Sequence, residues 1–212
     1  MTALLDAQRT TTLHNFQLLA IAQPSTPGQS ALPHTEQELI QIRKRAGNLP
    51  VITLEGQDAT VERVVQGMKE CGWIHLACHG TQNTTHPTKS ALLLQDGGRL
   101  ELSEIIKTPL PNAEFAFMSA CQTATGDKDL SEEAVHLAAG MLLAGYKGII
   151  ATMWSIKDKD APLVADEVYT SLLEDGQPDH TRAARALHQA VRHLREQNAP
   201  FASWVPFIHV GM

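Results

Sequence analysis

Trp73-Ile74-His75-Leu76-Ala77-Cys78-His79-Gly80 is an apolar run of strand length that stops at a polar residue able to do chemistry. A second run, Phe115-Ala116-Phe117-Met118-Ser119-Ala120-Cys121-Gln122-Thr123, delivers Cys121 in the same way. Apolar runs joined by a crossover tend to pair in parallel, which sends both carboxyl ends to one rim of the sheet. His79 and Cys121 then meet although they stand 42 residues apart (121 − 79). A thiol beside an imidazole is the minimum apparatus of a cysteine nucleophile.

Outward from this pair, strands and helices alternate. Phe16–Ala22 reads as a first strand, closed by the Pro24-Ser25-Thr26-Pro27-Gly28 loop. Thr35–Arg45 has helical spacing, with Thr35 and Glu38 as a capping box and Gly47 as the stop. Pro50–Leu54 is a short strand, and Asp58 is expected to cap a helix that turns Val61, Val64, Val65 and Met68 inward. After His79, Gly80–Pro87 reads as a polar, flexible loop. Asp96-Gly97-Gly98 between two apolar segments signals a hairpin. A short helix Leu102–Ile106, a helix Ser131–Ala144 and a strand Gly148–Trp154 come next. Two amphipathic helices, Asp160–Glu174 and Thr181–Glu196, lead to a last strand, Trp204–Val210. This order predicts one α/β domain, a mostly parallel six-stranded sheet with helices on both faces.

Of the 212 residues, 43% are hydrophobic and the net charge is −6, enough for one sizeable core and too acidic for a binder that neutralises phosphates. No apolar run reaches the roughly 18 residues of a membrane span, and no signal peptide opens the chain. Three cysteines, Cys71, Cys78 and Cys121, read as reduced thiols in a cytoplasmic setting. Neither nucleic acid nor membrane is an expected partner.

In such a dyad His79 lowers the thiol pKa from about 8.5 and returns a proton to the leaving amine. Gly80 and Cys121 would supply the backbone N–H groups for the oxyanion. Bland readings stand beside this one. His75, on the same sheet face as His79, suits a buried imidazole hydrogen-bonded to backbone. Cys78 points to the opposite face as a small core residue, and Cys71 packs at a helix end. Zinc ligation by Cys78, His79, His86 and Cys121 conflicts with strand alternation. Asp127, Asp129, Glu132 and Glu133 suit a helix N-terminus better than calcium. Residues 122–126 lack phosphate-loop spacing, which gives no support to nucleotide binding; with the metal readings set aside, no metal and no cofactor is expected. Arg182, Arg185, Arg192 and Arg195 form a basic face, solvated or docking an upstream module.

Leu76-Ala77-Cys78-His79-Gly80, Met118-Ser119-Ala120-Cys121-Gln122-Thr123 and Gly148–Asp158 resemble three successive blocks of the CHAT domain, a family grouped with caspases, metacaspases and separase. Ala138–Gly145, Ala186–Arg192 and Trp204–Ile208 agree with it. The resemblance spans 14–212 and leaves 1–13 as an N-terminal extension or the remnant of an upstream linker. It implies a caspase-like three-layer α/β/α sandwich and a cysteine endopeptidase whose dyad is His79 and Cys121, with Gly80 matching the family's glycine. The expected partners are a protein or peptide substrate and an upstream helical-repeat or regulatory module; oligomeric state is left open.

The resemblance also sets Met153, Trp154 and Ser155 beside the substrate groove, Trp154 being a subsite wall or core. Metacaspases carry Asp where this chain has Ser119, so a basic substrate preference is not inherited there. Asp127, Asp129, Glu132 or Asp158 could supply it. The loops Thr81–Lys89 and Thr125–Asp129 are candidate gates. A catalytically silent scaffold on the same fold is the second functional class, and a small-molecule hydrolase or transferase with a deep pocket is the third.

Overall fold

Alternation along each strand decides which helix a side chain meets. The computed structural model describes residues 16–83, 85–119, 134–154 and 156–211. In chain order the elements are β1 (Leu18–Ala22), α1 (Thr35–Ala46), β2 (Val51–Glu55), α2 (Val61–Glu70), β3 (Trp73–Ala77), β4 (Gly80–Thr81), β5 (Ala91–Leu93), β6 (Arg99–Glu101), α3 (Leu102–Lys107), β7 (Phe115–Met118), α4 (Ala134–Leu143), β8 (Gly148–Thr152), α5 (Ala161–Leu172), α6 (Ala183–Glu196), α7 (Phe201–Trp204) and β9 (Phe207–Gly211). The main sheet has six strands in the order β2-β1-β3-β7-β8-β9. All neighbours are parallel except β9, which runs antiparallel to β8.

Every residue of β1, β3, β7 and β8 is buried, as central strands covered on both faces must be. On one face Ile74, Leu76, Ala116, Met118 and Ile149 join Val64 and Met68 of α2, Leu102 and Ile105 of α3, and Leu137 and Met141 of α4. On the other, Trp73, Phe115, Phe117 and Ile150 join Val164, Val168 and Tyr169 of α5 and Ala186, Ala190 and Leu194 of α6. Ala20 and Ala22, small residues on β1, receive Leu39 of α1. The result is the predicted three-layer α/β/α arrangement.

Several local expectations are corrected. Thr35 and Glu38 do not form a capping box: the Thr35 hydroxyl donates to the Leu32 carbonyl at 2.8 Å, and Glu38 turns inward to His75. Thr60, not Asp58, caps α2 by accepting from the Arg63 N–H at 3.3 Å. Gly80 does not begin a loop. It opens β4, which joins the expected β5–β6 hairpin in a second, three-stranded antiparallel sheet. A two-residue strand has no periodicity to betray it. Trp204 ends α7 rather than starting a strand. On the basic face, Arg182 pairs with Glu174 and Asp179, Arg192 pairs with Glu196, and Arg195 lies over the Trp204 ring, with Arg182 and Arg192 still well exposed.

Between α5 and α6, His180 is buried edge-on to Trp73, with ring centroids 6.5 Å apart. Burial pulls its imidazole below the usual value; Lys147 adds to this, and Glu114 and Asp179 oppose it. The unfolded chain therefore binds the extra proton first. Stability should begin to fall as pH drops below about 6.5 and keep falling until the folded-state pKa is passed. Chemical denaturation between pH 7 and pH 5 should show a smaller loss for His180→Gln than for the wild type.

Candidate active site

Parallel strands deliver their carboxyl ends to one rim, and four buried polar groups line up there. Gln23 follows β1, His79 follows β3, Ser119 follows β7 and Thr152 ends β8. Each is at most 2% exposed. Gln23 Oε1, His79 Nδ1, Ser119 Oγ and Thr152 Oγ1 have no hydrogen-bond partner among the described residues. Leaving such a group unpaired costs about 1–3 kcal/mol, and polar atoms gathered this way at one rim make it the candidate site.

His79 is oriented from its far side. The carbonyl of Ser30, in the segment joining β1 to α1, lies 2.7 Å from His79 Nε2. A carbonyl oxygen can only accept, so Nε2 carries the proton of the neutral ring and Nδ1 holds the lone pair. The His79 carbonyl accepts from the Leu93 N–H at 2.7 Å, which ties the backbone here to the small sheet. Gly80 follows at once, as the first residue of β4.

The other sequence-predicted residues fall in different situations. Cys121 and Ser155 lie outside the described residues, as do Asp127, Asp129, Glu132, Glu133 and the Thr125–Asp129 loop. The described chain reaches Ser119, which is fully buried and held to β3 by its N–H donating to the Leu76 carbonyl at 3.2 Å. Met153 and Trp154 are half-buried, whereas Ile150 and Ala151 are fully buried. The Met153 N–H donates to the Pro206 carbonyl at 2.8 Å. Asp158 is already committed: its Oδ2 accepts from the His34 backbone N–H at 2.9 Å and from His34 Nδ1 at 2.6 Å. The Thr81–Lys89 loop is tied down by the Asn83 N–H donating to Ser90 Oγ and the His86 N–H donating to Asn83 Oδ1.

These contacts narrow the bland readings. His75 does not bond to backbone. It sits beside Glu38 Oε2 at 3.1 Å and the Tyr169 hydroxyl at 3.4 Å, all three buried. Burial, with the Glu38 charge added, raises the Tyr169 pKa well above its ordinary value and keeps it a donor. Cys78 packs in the cluster on the opposite face from His79, and His86 is exposed. Among the described residues, no three His, Cys, Asp or Glu side chains come together as a metal site. No described helix is long and apolar enough to cross a membrane. Sequence reading missed the Ser30 carbonyl and the role of His34, because a main-chain acceptor carries no residue-type signal.

The model of the CHAT domain matches residues 2–212. The chain belongs to the CHAT domain family. Two solved structures share its fold, the complex of Porphyromonas gingivalis RgpB pro- and mature domains and the Arg-specific cysteine proteinase gingipain R (RgpB). Each has a TM-score of 0.56 and 15% identity, and each covers 92% of this chain. The match takes in 47% of the first protein's chain and 46% of the second's, so this CHAT domain spans about half the length of either. At that identity the likeness is one of fold: a caspase-like three-layer α/β/α sandwich. No curated protein matches the chain.

Burial, with the neighbouring Glu70 charge added, pushes the Cys71 thiol of the CHAT domain up to about 11. Native protein treated with iodoacetamide at pH 8 should therefore leave Cys71 essentially unmodified while a small-molecule thiol is consumed. Peptide mass spectrometry after the same treatment in denaturant should show it labelled.

Proposed function

We propose that this CHAT domain is a cysteine endopeptidase in which Cys121 is the nucleophile and His79 its acid–base partner. The observation that carries the reading is the state of the His79 ring: Nε2–H is fixed on the Ser30 carbonyl, and Nδ1 is left buried with no partner among the described residues. A general base needs such a directed lone pair. The strand pairing agrees with it. From Trp73↔Phe115 to Leu76↔Met118 the β3–β7 register adds 42 to every residue number, which is also the sequence interval between His79 and Cys121.

The chemistry runs in two halves. Cys121 gives its proton to His79 Nδ1, and the sulfur attacks the scissile carbonyl. The tetrahedral oxyanion is received by the N–H groups of Gly80 and Cys121, where one donor is worth about 2.7–4 kcal/mol. Collapse breaks the C–N bond, and the imidazolium passes its proton to the departing amine. In the second half His79 takes a proton from water, the hydroxide attacks the thioester, and Cys121 leaves as thiolate to regain the proton. Ser119 and Thr152 stand on the same rim as His79; Met153, Trp154 and Ser155 are assigned to the substrate groove, with Trp154 as an apolar wall of a subsite. An upstream module or partner that opens the groove, and a cytoplasmic location, belong to the same proposal.

Digestion of an unbiased peptide library should give cleavages that Cys121→Ala lowers by at least about 10⁴-fold. His79→Ala should lower them about 10²–10⁴-fold. A latent groove is covered by a second measurement, iodoacetamide labelling at pH 6, where Cys121 should react far faster than Cys71 or Cys78. Equal, slow labelling of all three cysteines, with no library cleavage, would sink the peptidase and leave a scaffold on the same fold.

A further inference from the structure

Ser30 is held in a segment with two anchored ends. At its start the Gln23 N–H donates to the Ala77 carbonyl at 2.9 Å, which joins the end of β1 to the end of β3. The Leu32 N–H then closes on the Pro24 carbonyl at 2.8 Å, so Ser30 lies inside a small loop. Its exit runs through His34 into α1. His34 is the residue before the first turn, and its own side chain does not cap the helix.

The contact that fixes this exit comes from the segment that leads from β8 into α5, the helix that packs beside α1. Asp158 stands after β8, 124 residues further on, and a single oxygen of its carboxylate, Oδ2, receives both His34 donors. The bond to the backbone N–H fixes the main chain, and the bond to Nδ1–H fixes the ring. A carboxylate at the amino end of α1 is also favoured by the helix dipole. Asp158 is 20% exposed at the side chain, so the pair is only partly screened.

We infer that Asp158 is a positioning residue for His79, acting through His34 and the Ser30 carbonyl rather than by touching substrate. The inference rests on the peptidase reading for its consequence and on the tautomer of His79 for its proof. With Asp158 and His34 joined, the segment 24–34 cannot swing away from the rim, Ser30 C=O stays on Nε2–H, and Nδ1 keeps its lone pair. With the tie cut, the carbonyl drifts, the neutral ring samples both tautomers, and the thiol at 121 loses its fixed acceptor.

The use of one oxygen separates this role from the recognition of a basic substrate side chain. Asn at 158 still offers a carbonyl oxygen that can accept both His34 donors, and it would fail as a counter-charge. Long-range ¹H–¹⁵N spectra of the full chain in the Cys121→Ala background at pH 8 report the His79 tautomer without any need for activity. They should show only Nε2–H in the parent, a mixture after Asp158→Ala, and the parent pattern after Asp158→Asn.

With Cys121 present, Asp158→Ala should slow iodoacetamide labelling of Cys121 at pH 6 by about tenfold, the effect of a one-unit rise in thiol pKa, and Asp158→Asn should restore it. If Asp158→Ala does not fold, His34→Ala should shift both readouts in the same direction. An unchanged tautomer in Asp158→Ala, or Asp158→Asn as impaired as Asp158→Ala, overturns the inference. Slow labelling of Cys121 in the otherwise wild-type chain, with the tautomer behaving as expected, counts against the peptidase reading alone.

Discussion

One hydrogen bond, from His79 Nε2–H to the Ser30 carbonyl, fixes the ring of a buried histidine and sets its lone pair on Nδ1. A neutral imidazole can carry its proton on either of two distinct nitrogens, and a ring free to exchange them presents a given lone pair to its neighbour only part of the time. A main-chain carbonyl removes that choice because it can only accept. Everything else at the rim follows from how this bond is maintained. β1 must end beside β3, the segment after β1 must curl back over the rim, and α1 must start where the curl ends.

The parallel sheet supplies the frame for this arrangement. Constant registers along β1, β3, β7 and β8 bring chain ends that are far apart in sequence to one row. Bulky residues on both faces, among them Trp73, Phe115, Phe117 and Ile74, fill the body of the sheet, and the small and polar residues Ala77, Ser119 and Thr152 are left at its end. Packing is thereby separated from chemistry along a single strand. The same separation explains why His75 and His79 differ. His75 sits in the body of the sheet, where Glu38 and Tyr169 engage it from two neighbouring helices on one face. His79 stands past the end of β3, with one nitrogen held and the other buried without a partner among the described residues.

The fold was legible in the sequence because its main signals are periodic and long. The runs at Trp73–Ala77 and Phe115–Met118, the hairpin dipeptides at Asp96–Gly98 and the stripes of α2 and α6 each repeat a pattern that only one element satisfies. Gly47 ended α1 as read, at φ 56°. Caps were less legible: Thr35 and Glu38 have the spacing of a capping box, yet a buried imidazole on β3 competes for the carboxylate. Burial makes that competitor stronger than a solvent-exposed N–H, because in a low-dielectric interior an unpaired partner is costly.

The sequence by itself determined the sheet, its two apolar faces, the family, and the burial of the run that leads to His79, though β3 stops at Ala77, two residues short of it. Tertiary structure alone decided which nitrogen of His79 carries the proton and which carbonyl holds it. It also decided that Asp158 spends its charge on His34. Those outcomes depend on main-chain atoms and on contacts across more than a hundred residues of chain. Neither has a residue-type signature, since every peptide unit offers the same carbonyl and only the folded backbone selects one.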